Sequence, residues 1–379
     1  MHVVYLIDSL VRGGAEQSLA DLAPHYVRLG VRLDVAYLHD RPGVGPDLEA
    51  AGASLFSLAG GHGRMDWARR AVSLLQERGP DVLHTTLFES DIAGRISSLR
   101  ARVPVVTSLV NLAYGHEQLA SPTVSRARLR GAQLLDAVTA RRVARFHAVS
   151  TSVADVMSRR LRISRDRIDV IPRGRDTGRL GTRTDARRTA ARTMLGIDRE
   201  TPMILAAGRE EFQKGFDVLI RAFGMVAAQA PNARLFIAGR SGGDSANLRR
   251  LADALGLAGR VEFLGLRSDV PELLCAADVF AFPSRWEGLP GGVLEAMALE
   301  TPIVASAIAP VRELVEDRRT AWLVPPEHAS LLGEAVVAAL RAPDRTERTN
   351  AARARFLERY TIERVADEMV AFYLRATNT

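Results

Sequence analysis

Short apolar runs alternate along this chain with stretches whose hydrophobic positions recur every three or four residues. Val3 to Ile7 is one such run. Gly13 and Gly14 follow it, then Ala15 to Leu29 carries Leu19, Leu22, Ala23 and Tyr26 at helical spacing until Gly30. Val31–Leu38, Asp81–Thr85, Val103–Leu109, His147–Ser150 and Ile168–Ile171 continue the strand series. Continuous apolar runs separated by helices predict a parallel sheet covered on both faces. Composition turns polar and arginine-rich over Pro172–Arg199, which reads as a linker with a short helix. The same grammar restarts at Met203. Strands are expected at Met203–Ala207, Arg234–Ala238, Val261–Leu264, Val279–Phe282 and Ile303–Ala305, and helices at Phe216–Ala228 and Ser245–Leu255. A final amphipathic helix, Ile362–Leu374, follows a charged stretch from Arg341 to Arg355. The expected organisation is a first α/β domain over 1–172 and a linker with the first helix of the second domain over 173–200. A second α/β domain over 201–358 follows, then a C-terminal helix over 359–379 that packs back on the first domain. Two such domains facing each other place the default ligand site in the cleft beyond the carboxyl ends of their strands.

The 379 residues are 47% hydrophobic and 25% charged, which excludes a largely disordered chain. One cysteine, Cys275, excludes an internal disulfide framework and a cysteine-rich metal site. It lies in an apolar helix, so core packing is expected of it rather than nucleophilic chemistry. Met1–Leu10 lacks a basic lead-in and is soon broken by Asp8, so it reads as a strand and not a signal peptide. A cytoplasmic protein is expected, with a peripheral position at the cytoplasmic membrane face as an option. Formal net charge is +7, and of 51 Lys+Arg only one, Lys214, is lysine. That exception marks Lys214 as a position where arginine does not serve.

Three glycine-bearing segments sit at strand-to-helix junctions. The strongest is Phe282-Pro283-Ser284-Arg285-Trp286-Glu287-Gly288-Leu289-Pro290-Gly291-Gly292-Val293-Leu294-Glu295. Its glycines permit close approach of a ligand, and free amides at the helix start favour an anion. Glu287 and Glu295 each offer two carboxylate oxygens to hydroxyl groups, as a sugar or ribose presents. The second is Gly208–Gly215, in which Arg209 and Lys214 can converge on a diphosphate. No Gly-Lys-Ser/Thr follows, so it is not a P-loop. Gly13-Gly14-Ala15-Glu16 is the third, shorter than a dinucleotide fingerprint.

Metal chemistry is not supported. The eight histidines are scattered, with no His-x-x-x-His and no Asp-x-Asp. His84 and His147 fall at strand ends and are expected to pack. No Gly-x-Ser-x-Gly argues for a serine hydrolase. Ser121–Arg145 holds six arginines and one aspartate among Leu129, Leu134 and Val138. It reads either as a solvated helix face or as a face for an anionic membrane. Interleaved aromatics for base stacking are missing, so no nucleic-acid partner is expected.

Together these segments resemble the retaining, nucleotide-sugar-dependent glycosyltransferases of family 4, across nearly the whole chain. His147-Ala148-Val149-Ser150, Ile171-Pro172, Gly239 and Pro302–Ser306 add to the likeness. The resemblance implies a GT-B fold, two facing Rossmann-like domains with a deep cleft between them. The first would bind the acceptor and the second the nucleotide sugar, UDP- or GDP-linked, with no further cofactor. Glu287, Arg209 and Lys214 would be catalytic. Arg209 and Lys214 would hold the diphosphate, Glu295 the ribose, and Glu287 the transferred sugar. The backbone of Gly288, Leu289, Pro290 and Gly291, with Gly14 opposite, would close over sugar and phosphate. Leu264 and Arg267 would flank the base. Glu16, Asn111 and His116 would face the sugar or acceptor. Arg173-Gly174-Arg175-Asp176 replaces the family's usual Asn-Gly-Val-Asp, and Leu109-Val110-Asn111 stands where many members carry a sugar-facing histidine. The implied reaction moves a hexosyl-type sugar to a hydroxyl of a glycan, glycolipid or small metabolite. It proceeds by metal-independent front-side displacement. The other readings are a nucleotide-sugar epimerase or hydrolase on the same scaffold, or a non-catalytic basic binding protein.

Overall fold

The computed structural model describes residues 1–60, 63–115 and 125–377. The chain divides into two units, Met1–Asp176 with Thr361–Thr379, and Thr177–Tyr360.

The first unit is built on seven parallel strands: β1 (His2–Ser9), β2 (Arg32–His39), β3 (Ser54–Ser57), β4 (Val82–Thr86), β5 (Val105–Leu109), β6 (Arg145–Ala148) and β7 (Ile168–Val170). Their order is β3-β2-β1-β4-β5-β6-β7, so the direction of winding reverses between β1 and β4. Val3, Val4, Leu6 and Ile7 are all buried because both faces of β1 are covered. The strand expected at His147–Ser150 ends at Ala148. Ser150 instead caps the Thr151–Leu161 helix, its hydroxyl accepting the Val153 amide. The C-terminal helix, Ile362–Thr377, belongs to this unit. Val365, Met369, Phe372, Tyr373 and Ala376 enter the same core as Leu19, Ala23 and Tyr26. Gly174 makes the return possible, since a Cβ there would lie 2.7 Å from the Ile362 Cα.

A chain of polar groups runs through that core. The Ile171 carbonyl can only accept, so His147 Nε2, 2.8 Å away, carries its proton. His147 Nδ1 then accepts from Ser108 Oγ at 2.7 Å. Ser108 accepts from His84 Nε2, and His84 Nδ1 accepts from the Tyr373 hydroxyl, each at 2.7 Å. One carbonyl thus sets both tautomers, and both rings are neutral. Burial holds His84 well below its ordinary range and brings His147 down to about 4.

The second unit has six parallel strands: β8 (Met203–Ala207), β9 (Arg234–Ala238), β10 (Val261–Gly265), β11 (Val279–Phe282), β12 (Ile303–Ser306) and β13 (Trp322–Val324). Their order is β10-β9-β8-β11-β12-β13, with the reversal between β8 and β11. Most of the arginine-rich stretch expected as linker is packed structure. Within the Asp185–Met194 helix, Arg187 binds Glu272 at 2.5 and 2.7 Å, and Arg188 binds Asp278 at 2.7 Å. Buried Arg192 donates to the Ala276 and Asp198 carbonyls at 2.8 and 2.7 Å. Its guanidinium satisfies the carboxyl end of the Val270–Ala276 helix, whose last carbonyls have no partner of their own.

The neutral histidines make stability depend on pH. A base whose folded pKa is depressed is fully stabilising above its unfolded value and loses that contribution as pH falls toward the folded one. For His147 the window runs from 6.5 down to about 4. The unfolding free energy from urea titration should fall between pH 7 and pH 5 by roughly 1–2 kcal/mol more in the native chain than in His147→Asn. Equal slopes would show that His147 is not buried neutral.

Candidate functional site

The loops after β8 and β11 leave adjacent strand ends at the reversal point of the second sheet, where open α/β sheets bind ligands. The first begins at Gly208, with φ of 153°. A Cβ there would lie 3.1 Å from Lys214 Cε, so the missing side chain lets the lysine stem cross close to the backbone. Glu210, fully buried, anchors the loop. Its amide donates to the Arg240 carbonyl at 3.1 Å, and its carboxylate accepts from Arg249 at 2.7 Å. A turn over Phe212–Lys214 then leads through Gly215, at φ of 65°, into the Phe216–Gln229 helix.

The two loops are stitched together. The Arg285 amide donates to the Gln213 carbonyl, and Gln213 Nε2 donates to the Trp286 carbonyl, both at 2.8 Å. Arg285 grips Asp217 with two nitrogens at 2.9 and 2.8 Å and the Phe212 carbonyl at 2.6 Å. It also stacks 3.8 Å from the Phe212 ring centroid and reaches Glu327 at 3.0 Å. This clamp brings Lys214 Nζ to 2.6 Å from Glu287 Oε1, and to 5.7 Å from the Phe282 ring centroid. The side chains are 17% and 11% exposed, so the pair is mostly withdrawn from water.

The β11 loop continues through buried Gly288, Leu289 and Pro290 into the Gly291–Ala298 helix, whose start has no side-chain cap. Its open amides and dipole favour an anion. Glu295 is half-buried on that helix. Arg209 is exposed on the β8 loop, with no side-chain hydrogen bond or ion pair among the described residues. Leu264 is half-buried in β10. Arg267 is engaged with Asp269 through two nitrogens, at 2.7 and 2.5 Å, and that contact draws the Asp269 carboxyl below its ordinary range.

In the first unit, Gly14 opens the Gly14–Arg28 helix, and a Cβ on it would sit 2.6 Å from Arg173 Nη1. Glu16 is buried beside Gly13, and Asn111 is exposed beyond β5. His116 and Ser121–Val124 lie outside the described residues. Among the described residues, no three metal-ligating side chains converge. Arg285 and Glu210 were not singled out by sequence reasoning. Arg285 lies inside the strongest motif, but its partner Asp217 is 68 residues away, and only the fold joins them.

Gly215 tests the clamp. A Cβ there overlaps the Pro283 carbonyl, and the φ is unfavourable for alanine. Gly215→Ala should cost about 2–4 kcal/mol in urea unfolding, whereas Gly224→Ala, with open space around it, should cost nothing.

Residues 12–179 match the family model described as Glycosyltransferase Family 4, and residues 187–355 that described as Glycosyl transferases group 1. Alpha-D-kanosaminyltransferase of Streptomyces kanamyceticus is 31% identical over 194 residues, 50% of each chain. A D-inositol 3-phosphate glycosyltransferase of Mycobacterium tuberculosis is 34% identical over 218 residues, 55% of this chain and 44% of its own. The chain thus spans about half the length of the curated relatives it matches. Among solved structures, Anabaena HepE in complex with UDP-glucose has a TM-score of 0.85 at 23% identity, covering 98% of this chain and 99% of its own. Sucrose-phosphate synthase from Thermosynechococcus elongatus has 0.83 at 21%, covering 99% of both. These two show the fold, which is GT-B.

Proposed function

We propose, for a chain that belongs to the family 4 glycosyltransferases of the two-Rossmann-domain type, that it moves a sugar from a nucleoside diphosphate to an acceptor hydroxyl with retention of anomeric configuration. The observation that carries this is the only lysine of the chain, held 2.6 Å from Glu287 where the second sheet reverses. The second unit then takes the donor and the first the acceptor. That HepE is solved with UDP-glucose supports a UDP-linked donor over a GDP-linked one.

The geometry and the family resemblance support the following roles. Lys214 has three donors; Glu287 takes one, and the others remain for phosphate oxygens. Arg209, exposed on the same loop, adds a second cation. The amides at Gly291 and Gly292 offset charge on the departing diphosphate. Glu295 receives the ribose hydroxyls, and Leu264 lies by the base. Arg267, held by Asp269, contributes there through its remaining N–H groups. Glu287 is a poor nucleophile with an ammonium on its oxygen, so it holds sugar hydroxyls instead of attacking the anomeric carbon. The acceptor attacks the face from which diphosphate leaves, and a phosphate oxygen takes its proton. No metal enters this scheme. Gly14, Glu16 and Asn111 are assigned to the sugar and acceptor side by the family resemblance.

Titration with UDP, GDP, ADP and TDP without metal tests the donor site. One nucleotide at 100 times its Kd should add about 2.7 kcal/mol of stability, and Lys214→Ala should abolish the effect. With the sugar conjugate, kcat/KM should fall at least about 100-fold in Lys214→Ala. NMR of the product should show retained configuration, and an inverted product overturns front-side displacement. Labelled sugar found only in water would make the protein a hydrolase.

The reading includes a peripheral contact with anionic membrane. On the Arg126–Ala140 helix and the turn after it, Arg126, Arg128, Arg130, Arg141 and Arg142 have no carboxylate partner among the described residues. Leu134 and Val138 beside them are 67% and 52% exposed. Basic side chains around exposed aliphatic groups suit an anionic bilayer surface. The chain should float with vesicles containing phosphatidylglycerol and not with pure phosphatidylcholine. Leu134→Glu with Arg130→Glu should abolish flotation.

A further inference from the structure

The first unit holds a cavity beyond the carboxyl ends of β4 and β5. Leu87, Phe88 and Asp91 line it from the start of the Phe88–Ala101 helix, Asn111 and Tyr114 from the segment after β5, and Asp136 from the Arg126–Ala140 helix. Fifty-one basic residues crowd this chain, yet no arginine, lysine or histidine is among the described residues of its wall. Two non-glycine residues on the wall have positive φ, Leu87 at 80° and Tyr114 at 65°. Leu87 also has ψ of 155°, a region otherwise left to glycine.

Beneath the cavity one cation serves two carboxylates. Arg95 is 1% exposed and lies 2.5 Å from Asp136 Oδ1 but 3.6 Å from Asp91 Oδ2. The Tyr114 hydroxyl donates to Asp136 Oδ2 at 2.6 Å, so both Asp136 oxygens are filled. Asp91 is left short: its Oδ1 is buried with no hydrogen-bond partner among the described residues. Burial raises its pKa most, Asp136 and Asp8 add to this, and Arg95 with the Thr85 hydroxyl opposes it. The balance is about 8, so Asp91 holds a proton at neutral pH. Ionised, the trio of Asp91, Asp136 and Arg95 would carry one uncompensated negative charge, costly at that depth.

We infer that this cavity receives the acceptor and that the acceptor carries an amine beside its hydroxyls, the ammonium seating against Asp91 as the Asp91 proton leaves to solvent. This rests on the transferase reading for the word acceptor, but not for the binding itself. A phosphorylated acceptor would meet two carboxylates and, among the described residues, no free cation here. A neutral polyol would leave the charge balance untouched and release no proton.

The experiment is titration calorimetry on the full chain at pH 7. Amino sugars and an aminocyclitol (glucosamine, galactosamine and 2-deoxystreptamine) are compared with glucose, galactose and inositol. Two buffers of different ionisation heat count protons. At least one amine should bind about tenfold more tightly than its hydroxyl counterpart, with release of about one proton per chain. Asp91→Asn mimics the protonated acid; it should erase both the preference and the proton release. An unchanged circular dichroism spectrum and a two-phase urea curve with both transitions retained should certify the fold of the first unit in that variant, and the thermal shift caused by UDP, a property of the second unit, should survive as well. Three results overturn the inference: no binding by any amine, binding without proton release, or a preference that persists in Asp91→Asn. Failure of UDP to bind while the amine result holds would remove the transferase reading and leave this one standing.

Discussion

The ion pair between Lys214 and Glu287 depends on a scaffold much larger than itself. Two partly desolvated charges at 2.6 Å gain from each other only where their positions are set beforehand. The sheet reversal at β8 and β11 brings the two loops side by side. The clamp of Arg285 on Asp217 and the Phe212 carbonyl then removes their freedom to slide. Glu210, buried beneath, ties the first loop through its amide to the Arg240 carbonyl at the exit of β9 and through its carboxylate to Arg249. The ammonium is therefore placed before any ligand arrives, and an anion reaching it would meet a charge that needs little reorganisation.

The division of labour between the two kinds of base follows from shape. Arginine does the structural work here: Arg187, Arg188, Arg192 and Arg285 each bridge several acceptors with a planar fork. Such a fork spends its donors in one plane, here on carboxylates and carbonyls of the protein itself. An ammonium distributes three donors tetrahedrally, so one can go to Glu287 while the others stay open. The first unit solves a different electrostatic problem with the same residue. Arg95 is shared by Asp91 and Asp136, and the shortfall is met by a proton.

Much of this was legible along the chain because it is local. β1, β8 and β11 announce themselves as unbroken apolar runs, since both their faces are buried. The edge strands β3 and β13 do not; Ser54–Ser57 has no buried residue and Trp322–Val324 only one. The arginine-rich stretch looked like linker because its carbonyl partners lie some 85 residues away, beyond any window. The same holds at the site. Lys214 stood out by composition and Glu287 by its motif, but Arg285 gained its meaning only from Asp217. The resemblance put Arg267 beside the base, and the fold gives it Asp269 two residues on. The Asp91, Arg95 and Asp136 cluster was invisible, since its members span 45 residues and three sit among apolar neighbours on two helices.

The first unit is discontinuous, and this bears on how the chain matures. Tyr26, Leu19 and Ala23 are covered by Phe372, Tyr373 and their neighbours, which the ribosome makes only after the whole second unit. The His84 ring likewise waits for the Tyr373 hydroxyl to complete its hydrogen bonds. During synthesis the first strands therefore carry an apolar groove that nothing local can close, while the second unit has all its strands and can fold first. The order of emergence from the ribosome and the order of completion are opposite, and the groove stays exposed until the Ile362–Thr377 helix arrives.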